Sequence, residues 1–246
     1  MTEALFAIGA GDQVVGRSRY CDFPPEALKL PVIGGYADPN LETILGLAPT
    51  LVVGAYGPAS ETLARTLQQR DIAIYFPKTD TLTDIDAMIQ GLGARTGHDD
   101  EAAKTMLRVR SRREAIARAV ADAPPPRVLF LVGISPIVAA GTGTFADELI
   151  KLSGGRNVVT ASSWPMLDLE KVIALDPDVI LGGSMDDPQG KQDLGEPWKL
   201  VRAVREGRVV PMGAPVVLRP GPRIAEGLAM MAKALHPDRQ AAIDAP

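Results

Sequence analysis

An internal repeat is the feature that most constrains this chain. Residues 40–54, NLETILGLAPTLVVG, lie over residues 168–182, DLEKVIALDPDVILG, at an offset of 128. Each copy opens on a side chain able to cap a helix and continues with apolar residues at helical spacing. It then breaks at a proline and ends in a short apolar strand closed by glycine. A second pair, 5–15 over 149–159, matches at an offset of 144. Both of its copies read as a helix closed by a glycine and followed by a strand. Two matches in the same order predict a duplicated lobe. In the second half the apolar run RVLFLVG, 127–133, precedes a helix at about 144–153. The first half has no counterpart, so a first N-terminal strand, with any signal peptide before it, is expected to be missing from this chain.

Between the repeats, Thr83 to Arg95 reads as a helix with Thr83 as N-cap. Asp99 to about Ala121 reads as one long helix, spanning roughly 35 Å at 1.5 Å per residue, and Pro124, Pro125 and Pro126 end it. Short apolar strands at 51–54, 72–76, 127–133, 179–182 and 208–212 alternate with helices, the pattern of parallel α/β sheets. The expected organisation is an N-terminal lobe over 1–82, a helical segment with the inter-lobe helix over 83–121, and a C-terminal lobe over 122–246. Both lobes are expected to be Rossmann-like.

Composition narrows the function. Among 246 residues, 26 Lys and Arg stand against 30 Asp and Glu, with no basic tract, so a nucleic-acid partner is not expected. No run approaches the ~18 apolar residues of a membrane span. The single cysteine, Cys21, excludes an internal disulfide, and two histidines, His98 and His236, exclude a multi-histidine zinc site. Both histidines read as solvated residues at helix edges. The glycine pairs Gly9/Gly11 and Gly141/Gly143 fit neither a dinucleotide fingerprint nor a P-loop and read as turns and caps. There is no nucleophile elbow, and Cys21 has no base near it in sequence; no catalytic residue and no metal ligand is expected.

Aromatic residues make up only 4% of the chain, so their positions carry weight. Tyr20, Tyr36, Tyr56 and Trp164 fall in loops that follow strands or precede helices, where open α/β sheets bind ligands. Tyr75 and Phe76 read as strand core. Four loop aromatics favour an apolar, flat or ring-bearing ligand.

Several segments together carry a family resemblance: Tyr20-Cys21-Asp22-Phe23-Pro24-Pro25-Glu26; Gly34-Gly35-Tyr36 with Asn40-Leu41-Glu42; the Leu-x-Pro-x-Leu/Val strand of each half; Gly154-Gly155-x-Asn157; and Pro222-Arg223-Ile224. The set resembles the substrate-binding proteins of ABC importers for vitamin B12, haem and ferric siderophores, with the vitamin B12-binding members nearest in pattern. The resemblance covers essentially the whole chain. It implies a class III periplasmic binding protein: two lobes joined by a single long helix, cargo held in the cleft, and no enzymatic activity. It also implies that Glu42 and Glu170, one per lobe, dock on arginines of an ABC permease, and that the protein works in the periplasm. Tyr20, Tyr36, Trp164 and Arg219 fall at family ligand-contact positions. For haem, Tyr56 or Tyr36 could ligate iron; for an anionic siderophore, Arg17, Arg19, Arg219 and Arg223 could supply charge. The implied ligand is cobalamin or cobinamide, haem or a ferric siderophore, a cargo and not a cofactor. The rival from residues alone is a cytosolic two-lobed α/β enzyme.

Overall fold

The structure, a computed structural model, describes residues 1–57, 60–182, 194–212 and 214–245. The chain divides into two compact units. Unit 1 takes Met1–Thr79 and Thr83–Leu107, and unit 2 takes Asp80–Leu82 and Arg108–Pro246.

In unit 1 the elements are α1 (Thr2–Ala7), α2 (Leu41–Gly46), β1 (Leu51–Val53), α3 (Ser60–Gln68), β2 (Ala73–Tyr75), α4 (Leu82–Thr96) and the start of α5 (Asp99–Ala119). β1 and β2 pair in parallel, Leu51 with Ala73 and Val53 with Tyr75. Ile44, Val52 and Leu67 are buried between helix and strand, with Ile33 and Ile74 packed on them. Ile85, Met88, Ile89 and Leu92 of α4 recur at helical spacing and are fully buried. α4 begins at Leu82, so Thr83 lies inside its first turn and is not its cap. Helix α5 stops at Ala119, two residues short of expectation, and both units share it: Asp99–Leu107 belong to unit 1 and the remainder to unit 2.

Unit 2 continues with β3 (Arg127–Ile134), β4 (Ile137–Ala139), α6 (Phe145–Leu152), β5 (Arg156–Asn157), β6 (Met166–Leu167), α7 (Leu169–Leu175), β7 (Val179–Gly182), α8 (Arg202–Arg205), β8 (Val209–Pro211), α9 (Ala214–Leu218), α10 (Ile224–Leu235) and α11 (Gln240–Asp244). Its sheet runs β6-β4-β3-β7-β8, with β5 also on β3. Val128, Leu129, Phe130 and Leu131 are all buried, as a strand covered on both faces requires. β3, β7 and β8 are parallel, but β4 runs antiparallel to both β3 and β6. The strands expected from the sequence do pair in parallel, and β4 is an antiparallel addition that makes the sheet of unit 2 mixed. Only Ser135 and Pro136 separate β3 from β4, and so short a connection can join strands only as a hairpin.

The repeat is visible in the backbone. Asn40 accepts the Thr43 N–H at 2.9 Å and Asp168 accepts the Lys171 N–H at 2.7 Å, so equivalent residues cap α2 and α7. Past each helix a non-glycine residue takes positive φ, Ala48 at 48° and Asp176 at 39°. A proline follows each and disfavours further right-handed helix. Ile44 and Val172 are the buried residues of the two helices. The second match needs a correction of register. The left-handed glycine closing α1 is Gly9 (φ 87°), and the one closing α6 is Gly154 (φ 76°), which sets the offset at 145 instead of 144. The hydrogen bonds agree: Ala10 N–H donates to Leu5 O and Gly155 N–H to Ile150 O. After α1, Gly11–Gln13 form a 3-10 helix where a strand was expected.

Candidate functional site

In unit 1 two extended segments lie side by side. Arg17 N–H donates to Pro31 O, Ile33 N–H to Arg17 O and Arg19 N–H to Gly34 O, each at 2.9 Å. This pairing brings Arg19 and Tyr20 against the 35–38 turn. There Arg19 grips Asp38 with both Nη atoms, at 2.9 and 2.6 Å, and its guanidinium lies 5.9 Å from the Tyr20 ring centroid. Gly35 permits the grip, since a Cβ there would stand 2.5 Å from Asp38 Oδ1. The Tyr36 hydroxyl donates to Tyr56 O at 2.7 Å, and the ring lies over Gly57, where a Cβ would meet it at 2.4 Å. The Tyr56 hydroxyl in turn donates to Glu61 Oε1 at 2.9 Å, in the first turn of α3.

The structure thus gathers Tyr20, Tyr36 and Tyr56 into one set of neighbouring loops, each about half exposed at 45%, 53% and 58%. Backbone holds the Tyr36 hydroxyl, Glu61 holds the Tyr56 hydroxyl and Arg19 lies beside the Tyr20 ring, leaving ring surface to solvent. Hydrogen bonding from Arg19 holds the Asp38 carboxyl below the usual carboxylate range. The Glu61 carboxylate, as acceptor, pushes the Tyr56 phenol up.

In unit 2, Trp164 packs edge-on against Phe145, with ring centroids 6.0 Å apart and planes at 63°. Its loop is laddered to the segment after β4: Gly141 N–H donates to Ser163 O, Thr142 N–H to Ala161 O and Ser163 N–H to Thr142 O, at 2.8 to 2.9 Å. Met166, two residues on, is 74% exposed. Arg219 follows α9 and is half-buried. Glu42 and Glu170 occupy the same position in the first turns of α2 and α7, and both are exposed.

Other sequence expectations change. Arg17 points its guanidinium at the carbonyls of Ser18 and Cys21, 3.2 and 3.1 Å away. Arg223 stands 3.9 Å from Glu226. Tyr75 is only half-buried, with the Arg95 guanidinium 3.9 Å over its ring, so it is not strand core; Phe76 packs on the unit 1 core. His236 is not solvated: it is 4% exposed and lies over Gly154, where a Cβ would meet Nε2 at 2.6 Å. His98 is half-buried, its Nδ1 2.8 Å from Thr96 O and its ring against Gly9. Cys21 Sγ takes the Thr2 hydroxyl at 3.2 Å. Among the described residues no three His, Cys, Asp or Glu side chains are grouped to hold a metal ion. The sequence reading missed Asp38, Glu61 and Phe145. A carboxylate two residues after Tyr36 and another five after Tyr56 were the available signals.

Two α/β units that share one long helix, with aromatic rings left bare on ordered loops, define a class of ligand-binding proteins. Residues 1–216 match the periplasmic binding protein family. A cobalamin-binding protein of Halobacterium salinarum is 32% identical over 250 aligned positions, covering 95% of this chain and 66% of that protein; the chain thus spans just under two thirds of its length. The solved periplasmic vitamin B12-binding protein of Vibrio cholerae has a TM-score of 0.82 at 26% identity, covering 99% of this chain and 94% of the other. A periplasmic haem-binding protein of Roseiflexus sp. RS-1, solved in its apo form, gives 0.83 at 28% identity, covering 99% and 95%. The chain belongs to the periplasmic binding protein family, whose members are solute-binding proteins.

Proposed function

We propose that this chain is the binding component of an ABC importer, that it works in the periplasm, and that its cargo is a corrinoid such as cobalamin or cobinamide. One observation carries the choice of ligand: the bare rings of Tyr20, Tyr36 and Tyr56, with the neighbouring arginine charges already occupied. Such a surface suits a large, weakly charged ring system held by stacking and burial. The names of the Halobacterium and Vibrio relatives agree with it. Trp164 and Arg219 are the proposed contributions of unit 2.

A polyanionic ferric siderophore fits less well. Arg19 is neutralised by Asp38, and the Arg17 guanidinium is turned onto backbone carbonyls. Haem is the second reading, favoured by the likeness to the Roseiflexus protein. It needs a phenolate on iron. Glu61 raises the Tyr56 phenol, which therefore resists losing its proton, and the Tyr36 hydroxyl is engaged on the Tyr56 carbonyl. The chain is proposed to bind without chemistry, as a carrier and not a cytosolic enzyme, with Glu42 and Glu170 docking on permease arginines.

The test is a tryptophan-fluorescence titration with cyanocobalamin, cobinamide, haemin and a panel of ferric siderophores, corrected for inner-filter absorption. Saturable, submicromolar quenching by the corrinoids, with ligand recovered unchanged, is the expected result. Saturation by haemin alone, with a tyrosinate-iron absorption band, would replace this reading by the haem one.

A further inference from the structure

Asn157 sits at the junction of three segments of unit 2 without belonging to the aromatic surface. Its Nδ2 donates to Ala140 O at 3.0 Å and to Asp147 Oδ1 at 2.9 Å, while its Oδ1 accepts the Val159 N–H at 3.0 Å. Asp147 is 2% exposed, and its other oxygen takes Lys151 Nζ at 2.6 Å. From this junction the bonding runs outward to Ser163, the chain neighbour of Trp164. Every backbone polar group of Ala140, Gly141 and Thr142 is taken. Ala140 N–H donates to Phe130 O, the Thr144 hydroxyl donates to Gly141 O, and the remaining groups pair with Ala161, Ser163 and Asn157. Gly141 allows the contact, because a Cβ there would lie 2.1 Å from Ala161 O.

A side chain that satisfies two buried acceptors at once is costly to remove. Without Nδ2, the fully buried Ala140 carbonyl and the 2%-exposed Asp147 carboxylate each lose a donor. The 140–142 segment then has to move to regain partners. It carries with it the ladder to 161–163 and so the indole of Trp164. We propose that Asn157 is a positioning residue for Trp164, fixing the ring for the ligand through the 140–142 segment without touching the ligand itself. The proposal rests on the reading of Trp164 as a ligand contact.

The chain has two tryptophans, so a Trp198→Phe background, confirmed to fold and bind, leaves Trp164 as the sole reporter. In that background Asn157→Ala is expected to raise acrylamide quenching of Trp164 and lower its anisotropy with no ligand present. Cyanocobalamin should then dissociate about tenfold faster with its association rate unchanged. Asn157→Asp keeps the acceptor for Val159 and the side-chain shape but sets a second carboxylate against Asp147. It is expected to change both readouts the same way and carries the test if the alanine variant does not fold. A drop in melting temperature with quenching, anisotropy and dissociation unchanged, measured well below that temperature, would reduce Asn157 to a structural residue and overturn the proposal. Trp164→Phe separates the two ideas. Unaltered cyanocobalamin binding in that variant removes Trp164 from the ligand surface, while the ligand-free quenching still decides whether Asn157 positions the ring.

Discussion

On the proposed reading, Tyr56 is where one contact would sort ligands. A phenol that donates to a carboxylate is a poor source of phenolate, because losing its proton sets two anions against each other. Replacing Glu61 with Gln removes the negative partner and keeps an acceptor, so the Tyr56 phenol is expected to ionise at lower pH than in the parent. Ultraviolet titration at the phenolate band, with Tyr56→Phe to assign the signal, measures this; an unmoved titration would separate Glu61 from Tyr56 in solution. At this scale the sequence was legible in part. The scarcity of aromatics singled out Tyr20, Tyr36 and Tyr56, and all three do lie exposed in neighbouring loops. Their partners were harder to see, because a carboxylate five residues after Tyr56 does not by itself say that it accepts from the phenol, and the Tyr36 hydroxyl ends on a backbone carbonyl of another loop. His236 misled for a similar reason. A histidine between Leu235 and Pro237 reads as a helix end, and nothing local says that the end is buried against Gly154.

Capping ties the two halves together at the scale of elements. Asn40 and Asp168 satisfy equivalent amides of α2 and α7. Replacing either with Ala is expected to cost about 1 kcal/mol, a fall of about 2–4 °C in melting temperature for a chain of this size. Because they sit in different units, the losses should add in the double variant, which calorimetry can check. The offset of 128 was readable because a cap, a proline break and an apolar strand fix register together. The other match slipped by one residue. Each half has two closely spaced glycines, and composition does not say which takes positive φ. The antiparallel β4 was hidden for want of length, although Ser135-Pro136 between two apolar runs was its turn signal.

At the scale of the whole molecule, the repeat places one exposed glutamate in each unit, Glu42 and Glu170. Replacing both with Ala is expected to abolish import while leaving cyanocobalamin affinity intact, measured by uptake in cells and by titration of the purified protein. Loss of affinity in the double variant would show that the pair belongs to binding instead of docking. One of the four arginines expected to draw an anionic ligand is already paired: the 2.6 Å grip of Arg19 on Asp38 turns a charge into a short dipole. A dipole's field fades within a few ångströms in salt water, so a solute nearing the tyrosines has little to guide it. On the proposed reading of the tyrosines as the cargo surface, arrival is left to diffusion, and discrimination among solutes falls to how long each one stays.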